Sequence, residues 1–399
     1  MPQPASTAGR DLPGQTHRTA TAAPSAHNKQ TLRSDSAPKP CSSTPSAAPA
    51  AQETVTAEET AAPQETEAAE ETVAPQEAAS ELSATVQQLY ADFDAAMEKQ
   101  LGAMPESFGD IKVGAVVISL TNAFWANMKD CYEAAGKEMG IAIDVQTGTT
   151  EGDTASQLDV LMTMADMDYN VIIVSPIDGT NLIPGIVKCN QNGVKVINLG
   201  PGVDVDALKE AGGHLDAKIT VDFAEQGQTV ANDMISRLPD GGEVAVIAGL
   251  AGAGQSEGRT KGFKETVEAN DKFNLVAVQN CDWDATLAYD ATKALITEHP
   301  DLKGIFCCND TMALAAVEAL AAEGKEGVLV YGVDFTDDAR EAIKAGTMTG
   351  SMSYSSARYT KAALQMAVML NEGHTFDSYV YLPLTLVNVD NVNDLEGWK

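Results

Sequence analysis

The sequence predicts an α/β protein made of two doubly wound parallel-sheet lobes. From Ile111 onward, short apolar runs alternate with amphipathic helical stretches, which is the rhythm of β-α-β units. Apolar residues in the runs are mostly continuous and do not alternate with polar ones, as in VGAVVI at 113–118 and VIIV at 171–174, which indicates strands buried on both faces. The rhythm also divides into two comparable blocks, 111–222 and 223–353, and so predicts two similar lobes.

Each apolar run is a predicted strand, and each helical pattern that follows is a predicted helix. The predicted strands are 113–118, 141–145, 171–174, 194–199, 243–248, 274–278, 304–308 and 328–331. The predicted helices are 124–139, 154–167, 180–192, 223–238, 257–269, 285–298, 311–323 and 336–345. Local signals support these boundaries: Asp153 or Thr154 can cap the second helix, Gly193 follows the third, and Pro239-Asp240-Gly241-Gly242 predicts a turn.

The N-terminal part has a different composition. Residues 1–80 are predicted to be a disordered tether, because 41–80 is rich in Pro, Ala, Thr and Glu and has no lysine or arginine. Residues 81–109 are predicted to contain one amphipathic helix that docks on the lobes or on a neighbour. Its apolar residues recur at helical spacing: Leu82, Val86, Leu89, Tyr90, Phe93, Met97 and Leu101.

The net charge argues against a nucleic-acid partner, and the apolar content argues against a membrane-spanning segment. The net charge of −31 opposes binding to a phosphate backbone, so nucleic acid is excluded. No run of about eighteen apolar residues is present, so no membrane span is predicted.

The cysteines indicate neither a zinc site nor a disulfide framework, because none has paired C-x-x-C spacing. Cys307 and Cys308 lie in an apolar run and are predicted to be buried. Cys41 precedes a spacer like that which follows the lipidated cysteine of a bacterial surface lipoprotein, although residues 37–40 do not form a lipobox. Cys41 is therefore a lipidation candidate whose native leader we expect to be missing or replaced, and an ordinary tail thiol is the alternative.

Polar and aromatic residues follow the predicted strands at the edge where open parallel sheets bind ligands. Asn122, Phe124 and Trp125 follow the first strand, and Trp283 follows the sixth between two aspartates. Asn309 and Asp334 follow the last two strands. Aromatic faces stack on sugar rings while amide and carboxylate groups bind hydroxyls, so the pattern predicts a sugar site.

Several motifs carry a resemblance to a known family. They are NAFW at 122–125, VSPID at 174–178, GLAGAGQSEGRTKGF at 249–263, CDWD at 281–284, HPDLKGIFCCNDTMAL at 299–314 and YGVDFT at 331–336. Residues 111 to about 390 resemble the ribose-binding family of periplasmic-type sugar-binding proteins, the substrate-binding components of ABC importers.

The resemblance implies a periplasmic binding protein-like fold of type I with three crossovers in its hinge, near Asp222, Tyr354 and Leu384. We accordingly assign 111–222 plus 355–384 to the N-terminal lobe, and 223–354 plus 385–399 to the C-terminal lobe. It also implies ligand contacts from the residues already singled out: Asn122, Phe124, Trp125, Trp283, Asn309 and Asp334.

Three positions depart from the ribose pattern. Gly200-Pro201 stands where an Asp-Arg pair would end the fourth strand, and Tyr354 replaces a glutamine at the second crossover. Glu257 stands where an arginine would follow the glycine-rich loop, unless the alignment slips by two and Arg259 fills that role. Glu257 and Tyr354 are therefore added to the predicted ligand contacts, and we expect a neutral sugar, a polyol or a related small polar ligand instead of ribose.

The sequence favours a binding protein over an enzyme, because no histidine follows a predicted strand in the cleft. We expect no cofactor or metal, and a monomer that delivers its ligand to an ABC permease outside the cytoplasm. The alternative is a ligand-sensing protein of the same fold: an autoinducer- or chemoreceptor-linked protein, or a sugar-responsive regulator lacking its DNA-binding domain.

Overall fold

The computed structural model describes residues 82–105 and 109–398. The strands, in chain order, are β1 (Lys112–Ser119), β2 (Ala142–Gly148), β3 (Val171–Val174), β4 (Lys195–Leu199), β5 (Ala217–Thr220), β6 (Gly242–Ala248), β7 (Phe273–Asn280), β8 (Leu302–Cys307), β9 (Leu329–Val333), β10 (Gly350–Ser353), β11 (Val380–Tyr381) and β12 (Thr385–Asn388). The helices are α1 (Ala84–Leu101), α2 (Ala123–Met139), α3 (Thr154–Met164), α4 (Ile183–Gln191), α5 (Val205–Glu210), α6 (Phe223–Arg237), α7 (Gly254–Glu268), α8 (Ala285–Glu298), α9 (Asp310–Ala322), α10 (Asp337–Lys344) and α11 (Ser356–Asn371). A short 3₁₀ turn spans Val392–Leu395.

Within the described residues the strands form two six-stranded sheets of matching topology. Their orders are β11-β5-β4-β3-β1-β2 and β12-β10-β9-β8-β6-β7. The pairings are parallel except that β12 runs antiparallel to β10. The strand order reverses at β1/β3 and at β6/β8, which are the switch points where such sheets bind ligands. The prediction of two doubly wound parallel lobes is confirmed.

The chain passes between the sheets three times within 109–398: after β5, after β10, and between β11 and β12. The ends of these elements lie at the three crossovers that the family resemblance implied. Because both sheets are completed by a strand from the C-terminal segment, neither lobe consists of one continuous stretch of chain.

Four short strands and two helices were not predicted from the sequence. The strands are β5, β10, β11 and β12, and the helices are α5 and α11. β10 has the sequence GSMS, yet all four residues are buried. No apolar run marks such a strand, because its burial depends on the neighbouring β9 and β12.

The helix and turn signals read from the sequence are confirmed. The Asp153 side chain caps α3 by accepting a hydrogen bond from the Ser156 N–H at 3.0 Å. Gly193 and Gly241 have φ values of +77° and +76°, which glycine adopts without strain. Cys307 and Cys308 are fully buried, as predicted.

Helix α1 packs on β11 of the first sheet and on the C-terminal segment that follows β12 of the second sheet. The Gln100 side chain exchanges two hydrogen bonds with the backbone of Tyr381 in β11. At the other end of the helix, Ser83 donates to the Asp394 carbonyl at 2.7 Å, and the ring centroids of Tyr90 and Trp398 are 4.9 Å apart. The apolar face is thereby covered by the protein itself.

The predicted tether, 1–80, and its Cys41 lie outside the described residues. In the part of the chain that the structure does describe, no helix has the length and apolar character needed to cross a bilayer.

Candidate functional site

A cavity lies where the carboxyl ends of the two sheets meet. Residues following β1, β2, β4 and β5 line it from the first sheet, and residues following β6, β7, β8, β9 and β10 line it from the second. The cavity therefore meets the geometric requirement for a ligand held by both lobes.

The first-sheet wall is formed by Asn122, Phe124 and Trp125 at the start of α2. The Asn122 carboxamide oxygen caps this helix by accepting the Phe124 N–H at 2.9 Å. The cap fixes the two rings, which lie edge to face with centroids 4.9 Å apart, and both rings are buried. A buried aromatic surface of this kind can stack on the C–H face of a sugar ring.

Trp283 lines the cavity from the second sheet. Its backbone φ of +66° is unusual for a residue with a side chain, and such strain is concentrated at functional sites. Gly249, which follows β6, makes room for the indole: a Cβ at this position would lie 2.2 Å from the ring. Gly249 is thus a supporting residue whose role the sequence did not reveal.

Asp334 also lines the cavity, with a φ of +108° in the loop after β9. One of its oxygens lies 3.8 Å from an Arg259 nitrogen and accepts a hydrogen bond from the Tyr354 hydroxyl at 3.1 Å. Burial raises the pKa of Asp334 to about 6, against the opposing effects of Arg259 and Tyr354.

The loop that carries Asp334 is held by the neighbouring Asp310. One oxygen of this buried carboxylate accepts the Thr336 N–H at 2.8 Å, and the other accepts the Ser351 hydroxyl at 2.7 Å. Desolvation raises the pKa of Asp310, and the charge of Asp334 adds to the rise. Asp310 is therefore a positioning residue that lies behind the site.

The structure corrects the prediction that Glu257 contacts the ligand. Glu257 is exposed on α7 and does not line the cavity, whereas Arg259 is 4% exposed and does. Two positions on a helix differ by about 200° in direction, so the two residues point to opposite faces. Arg259 donates to Gln226 Oε1 at 2.8 Å and to the Cys308 carbonyl at 2.7 Å, which fixes its guanidinium beside Asp334.

The other predicted contacts line the cavity: Asn122, Phe124, Trp125, Trp283, Asn309, Asp334 and Tyr354. The departing pair Gly200-Pro201 also lines it, and neither residue brings a charge. The rings of Phe124 and Trp125 form an aromatic wall of the cavity. The ring of Tyr354 lies 5.7 Å from that of Phe124, so the Tyr354 phenol belongs to this wall and also contacts Asp334.

Glu151 and Gln255 line the cavity but were not singled out from the sequence. Glu151 follows β2, and the same strand-end rule that found Asn122 applies to it. Burial raises the pKa of Glu151 to about 7, the charge of Asp334 adds to the rise, and the nearby Asn122 amide opposes it.

Three polar atoms of the lining are buried without a hydrogen-bond partner in the described part of the chain. They are Glu151 Oε1, Gln255 Oε1 and Asn309 Nδ2. Each such atom costs about 1–3 kcal/mol, so groups of this kind are normally satisfied by a ligand or by water. Two hydrogen-bond acceptors and one donor on the cavity lining therefore have no partner among the described residues, and aromatic rings line the same cavity.

The titratable side chains of the lining are Glu151, Arg259, Asp334, Tyr354 and Tyr359. Across 82–105 and 109–398, no group of three or more His, Cys, Asp or Glu side chains is placed to hold a metal ion. The arrangement can bind and orient a small hydroxylated molecule.

Comparisons with known proteins agree with this geometry. A family model described as a periplasmic binding protein domain matches residues 113–375. The chain is 34% identical over 264 residues to the D-allose-binding periplasmic protein of Escherichia coli, an alignment covering 66% of this chain and 85% of that protein. It is 28% identical over 288 residues to a D-ribose/D-allose-binding protein of Pseudomonas aeruginosa, covering 69% and 88% of the two chains.

A solved structure shows the same fold. It is that of an ABC transporter periplasmic solute-binding protein from Actinobacillus succinogenes with bound D-allose. Its TM-score is 0.67 at 26% sequence identity, covering 71% of this chain and 99% of the other.

Proposed function

Since this chain belongs to the periplasmic binding protein family, we propose that it captures a small sugar or polyol between its lobes and delivers it to an ABC import permease. The observation that carries the proposal is the cavity between the two sheets, in which buried aromatic rings lie beside unpartnered donors and acceptors. Relatives that bind D-allose or D-ribose support the class of ligand.

The lining favours a ligand different from ribose. Gly200-Pro201 contributes no charged side chain, and Tyr354 provides a phenol that already donates to Asp334. The arginine contact of the ribose pattern is retained through Arg259, whose guanidinium lies beside the Asp334 carboxylate. Within the sugar class, we propose a six-carbon ring or cyclic polyol that uses the aromatic wall more than ionic contacts.

Binding is proposed to act by lobe closure. Ligand contacts from both sheets favour a closed state, and the free energy of these contacts shifts the population toward it. The crossovers after β5 and β10 lie next to Val221 and Tyr354, which line the cavity, so hinge rotation and ligand contact involve adjacent residues.

The remaining assignments follow from the family and form part of the proposal. The protein acts outside the cytoplasm, as a monomer and without catalytic activity, and it presents its closed form to a permease. Cys41 is proposed to carry a lipid anchor. Incorporation of labelled lipid into the full-length chain, and its loss in Cys41→Ser, tests this assignment.

A thermal-shift screen of the full chain tests the main proposal. The panel contains pentoses, hexoses, inositols, linear polyols and nucleosides. A true ligand at about 100 times its Kd should stabilise the protein by about 2.7 kcal/mol and raise Tm by several degrees. The lead compound is then titrated by calorimetry against the wild type and Asp334→Ala. No response to any carbohydrate, or equal affinity in Asp334→Ala, would contradict the proposal.

A further inference from the structure

The charges around the cavity do not balance. Its lining contains two carboxylates, Glu151 and Asp334, and one cation, Arg259. Arg259 lies 3.8 Å from Asp334, so that acid has a counter-ion. No arginine, lysine or histidine of the described residues forms an ion pair with Glu151, whose Oε1 is buried and has no partner.

Glu151 is partly buried, and a carboxylate that is largely removed from water and has no counter-ion favours either a proton or a nearby cation. Arg259 is not available to Glu151, because its nitrogens already contact Gln226, the Cys308 carbonyl and Asp334. Other unpartnered polar atoms on the same cavity, Gln255 Oε1 and Asn309 Nδ2, show that the ligand is expected to complete the hydrogen bonding here. The missing partner of Glu151 is therefore also expected on the ligand.

The aromatic wall is compatible with a cation as well as with a sugar ring. Phe124, Trp125 and Tyr354 are buried beside one another, and ammonium groups are attracted to aromatic faces when desolvated. A neutral polyol would satisfy Oε1 with a hydroxyl and leave Glu151 to be neutralised by a proton, whereas an ammonium group would pair with its ionised form.

We propose that the ligand carries a protonated amino group that pairs with Glu151, so that the cavity selects an amino-substituted sugar or cyclitol over the parent polyol. This inference rests on the proposed function, because it concerns the same cavity. The hydroxyls of the ligand form hydrogen bonds with Asn309, Gln255 and the Asp334–Arg259 pair. The ammonium group faces Glu151, which lies on the first-sheet side of the cavity.

Matched pairs of ligands test the inference by calorimetry on the full chain at neutral pH. The pairs are D-allose, D-glucose, D-galactose and myo-inositol, each against its mono-amino-deoxy analogues. We expect at least one amine to bind about tenfold or more tightly than its parent, a typical effect of one charge-assisted contact. Glu151→Gln should reduce that preference to about twofold or less, while Glu257→Gln, which alters an exposed carboxylate outside the cavity, should preserve it.

The wild type supplies a second measurement that does not depend on a variant. Pairing with an ammonium group favours the ionised form of Glu151, so amine binding near neutral pH should release protons, and the parent polyol should not. Calorimetry in buffers of different ionisation enthalpy measures this release. Asp334, Arg259 and Tyr354 line the same cavity, and the Glu151→Gln variant separates their contribution.

The outcomes distinguish the two proposals. Tighter binding of a parent polyol than of all its amines, or an amine preference unchanged in Glu151→Gln, overturns the amine inference and leaves the proposed function standing. Absence of binding by every member of both series overturns both.

Discussion

The Tyr354 hydroxyl donates a hydrogen bond of 3.1 Å to Asp334 Oδ1 and so joins the segment after β10 to the loop after β9. Tyr354 is the first residue after β10, where the chain leaves the second sheet for α11. Its ring also lies 5.7 Å from Phe124 of the first sheet. One side chain at the second crossover thus contacts Asp334 of one lobe and Phe124 of the other.

Removing the Asp334 carboxylate should strongly weaken ligand binding. In Asp334→Ala the buried Arg259 and Tyr354 lose their shared partner, so we expect affinity to fall by about 100-fold or more. Calorimetry measures the loss, and circular dichroism checks that the fold is retained. Glu257→Gln serves as the control and should bind as the wild type does.

The hydroxyl and the ring of Tyr354 should each contribute separately to ligand affinity. Tyr354→Phe keeps the contact with Phe124 but removes the hydrogen bond to Asp334, so we expect about a five- to tenfold loss of affinity. Tyr354→Ala, which removes the ring as well, should lose more. Equal affinities of the two variants would mean that the hydrogen bond carries the whole effect and that the ring carries none.

A methyl group at position 249 should displace the Trp283 indole. Because a Cβ there would lie 2.2 Å from the ring, Gly249→Ala is expected to weaken binding at least tenfold and to lower Tm by several degrees. Gly254→Ala is the matched control: it adds the same group to the start of α7, where no atom lies within 4 Å. Ligand titration and thermal melts of both variants check the prediction.

Glu151 should make stability depend on pH in a defined direction. Its folded pKa of about 7 lies above the ordinary value of 4.5, so between these values the folded state binds more protons than the unfolded state. The contribution of Glu151 is fully present below about pH 4.5 and is lost as pH rises through about 7. Relative to the wild type, Glu151→Gln should therefore gain stability across this range in urea titrations without ligand. A difference that stays constant with pH would contradict the assignment.

Trp398 should anchor α1. It is 1% exposed, its indole N–H donates to the Ser353 hydroxyl at 2.8 Å, and its ring packs on Tyr90. Trp398→Ala is expected to destabilise the protein by about 3–5 kcal/mol and to increase amide exchange in α1. Met167→Ala, at a half-exposed position away from α1, should change neither quantity measurably. Unchanged exchange in α1 would show that other contacts hold the helix.

Much of the candidate site could be predicted because its residues follow strands. Asn122, Trp283, Asn309 and Asp334 each come shortly after a buried run, and parallel strands present their carboxyl ends at one edge of a sheet. Arg259 could not be separated from Glu257 in the sequence, because a glycine-rich loop leaves the register of the following helix open by two residues. Only packing against Gln226 and the Cys308 carbonyl decides which side chain turns inward.

The sequence by itself determined the two-lobed α/β architecture, the family and most of the cavity, since these depend on local periodicity and on residues adjacent to strand ends. The tertiary structure decided what depends on distant partners: the burial of GSMS in β10, the room that Gly249 leaves for Trp283, and the lack of a counter-ion for Glu151 among the described residues. The physical reason is that desolvation and charge pairing are properties of a closed cavity. They arise only when segments far apart in the chain are brought together.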